Sequence, residues 1–105
     1  MTDSWDEVVS ACRQARLYHH AFTIAGKEVE LDAMAQLMDS GVGVREIARL
    51  TRVPRSTVSR LCRDLAAAVR QVEMERAEVD SEILEFARRT IRAPERGQTH
   101  GSLST

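Results

Sequence analysis

One stretch of the chain, Val44–Arg63, constrains the fold more than any other, and its sequence is VREIARLTRVPRSTVSRLCR. Apolar residues recur there at helical spacing on both sides of a short interruption, at Ile47, Ala48, Val53, Val58 and Leu61. Arginines stand between them, at Arg45, Arg49, Arg52, Arg55, Arg60 and Arg63. This pattern predicts two short helices joined by a tight turn, with a buried apolar seam and a basic outer surface.

A small residue, an apolar residue and a proline define the joint between these two helices. Ala48 lets the helices approach closely, because a large side chain there would force them apart, and Val53 then fills the turn. Pro54 starts the second helix, where its missing N–H costs nothing and its fixed φ suits the helix. The three residues together predict a helix-turn-helix.

The composition favours an all-α fold. Aromatic residues make up only 4% of the chain, so the core has to be aliphatic. The net charge of -1 does not indicate a nucleic-acid partner, but the charges are unevenly distributed. Residues 44–70 carry seven arginines against Glu46 and Asp64, whereas residues 71–86 carry six acids against Arg76. This division predicts one surface that faces DNA and one that faces away; the alternative is two solvated helix faces.

Sites for metals, cofactors and catalysis are not predicted. Cys12 and Cys62 are too few and too isolated for a disulfide framework or a metal site, so we expect small buried residues. His19 and His20 would point about 100° apart on a helix and would not chelate one ion. There is no Gly-rich phosphate loop, no small-molecule ligand is evident, and we expect no enzyme. No apolar run approaches the ~20 residues of a membrane span, so we expect a cytoplasmic protein without a membrane partner.

The residues before the helix-turn-helix predict two further helices. The first opens at Ser4, which has capping-box spacing to Glu7, and its apolar face comprises Trp5, Val8, Val9, Cys12 and Ala15. The stretch Ala21–Leu31 is expected to be a loop or a short hairpin, although a helix end capped by Gly26 fits equally well. Leu31–Ser40 is expected to be a helix that supports the helix-turn-helix.

The residues after Pro54 contain neither proline nor glycine as far as Ala93. They predict either one long helix or two helices broken near Asp80, which Pro94 and Gly97 then end. An apolar stripe at steps of three and four residues predicts the interface of a homodimer, and its candidates are Leu65, Val69, Val72, Val79, Ile83 and Phe86. The alternative is that this stripe packs on the first helix of the same chain.

Polar residues cluster on one side of the second helix of the motif. At about 100° per residue, five of them fall within an arc of about 140°, namely Arg55, Ser56, Ser59, Arg60 and Arg63. Arginines at such positions can donate two hydrogen bonds to guanine, and serine can contact bases or phosphates. We expect Thr57 to cap the helix or contact a phosphate, and Arg45 to contact a phosphate.

The segment GVGVREIARLTRVPRSTVSRLCRDL resembles the helix-turn-helix of resolvase and invertase DNA-binding domains and of many phage and plasmid regulators. The resemblance implies that the second helix enters the major groove of double-stranded DNA. It also implies base contacts by Arg55, Ser56, Ser59 and Arg60. Arg52 departs from the pattern, because those proteins usually have glycine there. If its φ is positive, arginine costs roughly 1 kcal/mol that glycine would not.

These observations predict an all-α protein with an N-terminal helix, a helix-turn-helix and a long C-terminal helix or helix pair. The predicted segments are an N-terminal helix with its connector (1–26), a DNA-binding core (27–66), a dimerisation segment (67–93) and a disordered tail (94–105). The predicted function is a homodimeric, sequence-specific regulator, a repressor of phage or plasmid type. The alternatives are a DNA-packaging or architectural subunit that forms a higher oligomer, and a helical adaptor for other proteins.

Overall fold

The computed structural model describes the backbone of residues 2–103 and the side chains of residues 5–92. Its elements are α1 (Thr2–Asp39), α2 (Val44–Thr51), α3 (Arg55–Arg63), α4 (Leu65–Arg76) and α5 (Ser81–Leu103). The described backbone contains no strand, which confirms the all-α prediction. None of the described helices has an apolar stretch long enough to cross a bilayer.

Two compact units make up the chain. The central unit consists of Lys27–Ala77, and the terminal unit consists of Met1–Gly26 together with Glu78–Thr105. The long helix α1 contributes its first part to the terminal unit and the remainder to the central unit.

The prediction of a loop or short hairpin at Ala21–Leu31 was wrong, because α1 continues through this stretch without a break. Ala21, Ile24, Ala25 and Leu31 recur at helical spacing and are all buried, so packing favours the helix over a connector. Gly26 lies inside the helix, and a Cβ there would meet nothing within 4 Å. A glycine at such a site costs about 0.5–1 kcal/mol relative to alanine, which does not break a helix that packing stabilises.

The end of α1 was predicted correctly from Gly41. Gly41 has φ +84°, in the left-handed region, and its amide donates to the carbonyl of Met38 at 2.9 Å. The amide of Val42 donates to the carbonyl of Leu37 at 3.0 Å. These two bonds form a Schellman motif, which satisfies carbonyls at the helix end and turns the chain toward α2.

The long run after Pro54 is divided into three helices, whereas the alternatives were one helix or two. Asp80 caps α5 as anticipated, since its Oδ1 accepts hydrogen bonds from the amides of Glu82 at 2.9 Å and Ile83 at 3.2 Å. Asp64 makes the unexpected break, because it leaves the helical conformation and its Oδ1 accepts from the amide of Ala67 at 3.1 Å. Asp64 is therefore both the residue that ends α3 and the N-terminal cap of α4.

The backbone of α5 continues through Pro94 to Leu103, which corrects the prediction that Pro94 ends the helix. The disordered tail at 94–105 stays a prediction. A proline removes one hydrogen bond of the helix and leaves the others, so a kinked helix can continue past it. The side chains from residue 93 onward lie outside the described residues.

Two ion pairs join α4 to the last part of α1 within the central unit. Lys27 Nζ lies 3.2 Å from a carboxylate oxygen of Glu75, and Arg76 lies 3.4 Å from one of Glu28. All four side chains are partly exposed, so each pair contributes at most about 1 kcal/mol and is weakened by salt.

The terminal unit has a small core of its own. Its buried residues are Ala21, Ile24, Ala25, Leu84 and Ala87. The ring of Phe86 lies edge-on to the rings of Tyr18 and Phe22, with centroid distances of 5.8 Å and 6.2 Å. This arrangement is favourable for aromatic pairs, and it fixes α5 against α1.

The first turns of α1 do not take part in that core. The apolar face predicted there is solvent-exposed, and Cys12, which was expected to be buried, is exposed too. The helical spacing of this face was therefore recognised from the sequence, but the face has no partner among the described residues of its own chain.

Candidate nucleic-acid interface

A compact apolar cluster fixes α2 and α3 against the end of α1. At its centre are Met34 from α1, Ile47 from α2, Val53 from the turn and Val58 from α3. Partly buried residues pack around these four, namely Leu37, Val42, Val44, Ala48, Leu61, Cys62 and Leu65. The roles predicted for Ala48, Val53 and Cys62 agree with this cluster, which gives α3 one defined orientation.

The turn between the two helices depends on Arg52. This residue has φ 62° and ψ 18°, and it is the only positive-φ residue other than glycine in the described backbone. Its amide donates to the carbonyl of Ala48 at 2.9 Å. The positive φ that the sequence analysis considered for Arg52 is therefore present. An arginine here adopts a left-handed conformation that favours glycine.

Thr51 is a residue of the turn that sequence reasoning missed. Its hydroxyl donates to the carbonyl of Ile47 at 2.7 Å and accepts from the amide of Val53 at 3.3 Å. One side chain thus satisfies polar groups on both sides of Arg52. The available signal for this role was a threonine two residues before Val53, the apolar residue that fills the turn. A threonine hydroxyl commonly bonds to the carbonyl four residues earlier.

α3 begins at Arg55, with Pro54 as the capping residue rather than the first residue of the helix. Pro54 has φ -54° and ψ 138°, and its carbonyl accepts from the amide of Val58 at 3.0 Å. The prediction was therefore one residue early, because Pro54 is extended rather than helical. The proline still requires no amide partner where the helix starts.

Four of the predicted DNA contacts are arginines without a partner among the described residues. Arg45 on α2 and Arg55, Arg60 and Arg63 on α3 are all exposed. None of them has a hydrogen bond or an ion pair with the described residues. Their charges are therefore available to a ligand, and the acceptor-rich edge of guanine and the phosphate backbone both suit them.

The three hydroxyl side chains of α3 differ in exposure. Ser56 is exposed, whereas Thr57 and Ser59 are half-buried. Thr57 lines an open groove with Arg60, Leu31 and Val72. Thr57 is not a capping residue of α3, so its phosphate contact stays a prediction. Ser56 is the hydroxyl with the most open approach.

Arg49 differs from the four free arginines. It forms an ion pair with Glu46, one turn earlier on α2, in which Nε lies 2.9 Å from Oε1 and a second nitrogen bonds Oε2. The hydrogen bond from Arg49 lowers the pKa of the Glu46 carboxyl, and the same bond raises the pKa of the guanidinium. Both side chains are exposed, so the pair contributes little to the stability of the fold. Its main effect is that Glu46 neutralises the positive charge of Arg49 on the surface of α2.

The six residues of the predicted dimerisation stripe differ in exposure and belong to two units. Leu65 packs against the helix-turn-helix cluster, and Val72 is only 6% exposed. Val69 is 37% exposed, Val79 and Ile83 are half-buried, and Phe86 contacts the aromatic rings of α1. The first three candidates belong to the central unit and the last three to the terminal unit. Their part in a dimer stays a prediction.

Residues 31–68 match the model of the IclR helix-turn-helix domain. The matched range covers the end of α1, all of α2 and α3, and the first residues of α4. Neither the curated proteins nor the solved structures contained a match to the chain. The match supports a helix-turn-helix DNA-binding domain whose partner is double-stranded DNA. It does not support the finer resemblance to resolvases, invertases or phage regulators.

Proposed function

We propose that this chain is a repressor that binds a specific operator as a homodimer and acts by occupying it. The coarser role of a DNA-binding transcription regulator rests on the IclR-type match. The finer role as a phage- or plasmid-type repressor rests on the motif EIAR followed by RSTVSR. The regulator performs no chemistry of its own, and its place of action is the cytoplasm.

The observation that carries the proposal is the set of free arginines on α3. Arg55, Arg60 and Arg63 are exposed and form no ion pair within residues 5–92, on a helix whose opposite side is fixed by Val58. In the major groove, the guanidinium of an arginine donates two hydrogen bonds to O6 and N7 of guanine. In this proposal Arg45, at the start of α2, contacts a phosphate and so sets the register of α3 on the duplex.

Dimerisation explains how so small a motif selects one site among many. A single helix-turn-helix reads only a few base pairs, and two copies on a symmetric operator double the number of base contacts. Repression then needs only that the bound dimer blocks access to the promoter.

Selection of bound duplexes from a random DNA pool by the full chain tests the proposal. We expect an enriched site with two inverted halves, and an affinity that falls steeply between 50 and 200 mM salt, since counterions are released from the phosphates. Failure to enrich any sequence, or an affinity that does not depend on salt, would contradict sequence-specific DNA binding.

The sign of regulation needs a separate measurement. When the selected site is placed over the promoter of a reporter, we expect transcription to decrease as the protein concentration rises. Increased transcription would contradict the repressor. A particle much larger than a dimer that coats DNA without sequence preference would favour the architectural or packaging subunit instead.

A further inference from the structure

We propose that residues 5–16 at the start of α1 form the dimer interface and pair with the same residues of a second copy in antiparallel orientation. This inference deepens the proposed homodimer and rests on it for its role at the operator. It replaces the stripe on α4 and α5, whose central residue Val72 is buried in its own chain.

The start of α1 carries an apolar stripe that the described part of the chain does not cover. Trp5 is 71% exposed, Val8 is 61% exposed and Val9 is 44% exposed. Cys12 is exposed on the same side of the helix. At about 100° per residue these four side chains fall within an arc of about 100°, which is the width of a helix face that packs on a partner.

The charges beside the stripe identify the partner as a second copy in antiparallel orientation. Asp6 lies beside its beginning, and Arg13 and Arg16 lie at its end. All three are exposed and have no ion pair with the described residues of their own chain. Antiparallel pairing brings Asp6 of one copy beside the arginines of the other, whereas parallel pairing brings like charges together.

Two residues of the stripe gain specific contacts in this arrangement. Trp5 of one copy lies near Arg16 of the other, so that a cation can pack on the indole face. Cys12 lies close to the midpoint of the paired segment, which brings the two Cys12 thiols near each other.

Substitution of one stripe residue and of a matched control on the same helix tests the interface. We expect the unmodified chain to sediment at the mass of a dimer without DNA, and Val8→Asp to sediment as a monomer with the same circular dichroism. Leu17 is 48% exposed and lies about 180° around the helix from Val8, so Leu17→Asp should stay a dimer. A dimeric Val8→Asp would overturn the interface.

Crosslinking tests the position of Cys12 independently. With a short thiol-to-thiol crosslinker, Cys62→Ser, which keeps Cys12, should give a covalent dimer, and Cys12→Ser should not. Adding Val8→Asp to Cys62→Ser should abolish the product. Crosslinking only through Cys62 would place the contact on the central unit and overturn the proposal.

These outcomes are separable from those of the proposed function, because none requires DNA. An unmodified chain that is monomeric at 100 µM but selects a DNA site overturns this interface and leaves DNA binding intact. A dimer that Val8→Asp dissociates, and that selects no site, supports the interface and contradicts the regulator.

Discussion

The amide of Arg52 donates a hydrogen bond to the carbonyl of Ala48, 2.9 Å away, while Arg52 itself has φ 62°. The bond ends α2, and the left-handed conformation then reverses the chain toward Pro54. Ala48 also packs against the apolar cluster, so one small residue closes the helix end and permits the close approach of α3. The geometry of the turn therefore depends on the backbone of Arg52 rather than on its guanidinium.

Arg52→Gly should raise the free energy of unfolding by about 1 kcal/mol, because glycine adopts positive φ without the steric cost of a Cβ. Urea denaturation at a fixed protein concentration measures the change. Arg52→Ala is the matched control, since it removes the same charge and keeps the Cβ, and it should not stabilise. Equal stabilisation by both variants would show that charge rather than φ is responsible.

Substitution by alanine should change the free energy of unfolding in opposite directions at Gly26, inside α1, and at Gly41, just after its end. Gly26→Ala should stabilise by about 0.5–1 kcal/mol, because the residue is helical and a Cβ there meets no atom within 4 Å. Gly41→Ala should destabilise by about 1 kcal/mol, because φ is +84° although the space is equally open. Thermal and urea unfolding of both variants measure the effect, and a stabilising Gly41→Ala would contradict the helix-end geometry.

Local signals in the sequence predicted several helix boundaries well. Gly41, Pro54 and Asp80 each act within a few residues, and the helix boundaries near them were correct to within about one residue. The continuity of α1 was missed because it depends on burial of Ile24 and Leu31 against residues distant in sequence. The break at Asp64 was missed because no proline or glycine marks it within an otherwise uninterrupted helical run. Its only signal in the sequence is the ability of aspartate to cap a helix.

Val72→Asp should unfold the central unit rather than only dissociate a dimer at the predicted stripe. Val72 is buried, so the substitution places an uncompensated carboxylate among apolar groups and should cost more than about 3 kcal/mol. Val69→Asp is the control on the same helix, where partial exposure limits the cost to less than about 1 kcal/mol. Urea unfolding followed by circular dichroism compares them. A fully folded, monomeric Val72→Asp would restore the predicted stripe as the interface.

Glu46→Gln should strengthen DNA binding, because it removes a negative charge beside Arg45 and releases Arg49. We expect the slope of log affinity against log salt to steepen by about 1, the effect of one additional phosphate contact. Titration of DNA at several salt concentrations measures the slope. An unchanged slope would show that Arg49 does not reach the duplex.

The same ion pair predicts a pH dependence of stability. The hydrogen bond from Arg49 lowers the pKa of Glu46 in the folded state below its ordinary value of 4.5. The ion pair therefore contributes its full stabilisation above pH 4.5, the ordinary pKa of the carboxyl. This stabilisation is lost as the pH falls through the lowered pKa of Glu46 in the folded state. The difference in unfolding free energy between the unmodified chain and Glu46→Gln should narrow over this acidic range, and a constant difference would contradict the pair.

Arg60→Ala should lose roughly 1–3 kcal/mol of binding to the selected site, because Arg60 is an exposed arginine on α3 that no described side chain pairs with. The loss should be larger on the selected site than on random DNA, since a base contact adds to the phosphate term. Arg89→Ala is the matched control, because it removes an exposed arginine from α5 and should leave binding unchanged. Equal losses on selected and random DNA would reassign Arg60 from the bases to the phosphate backbone.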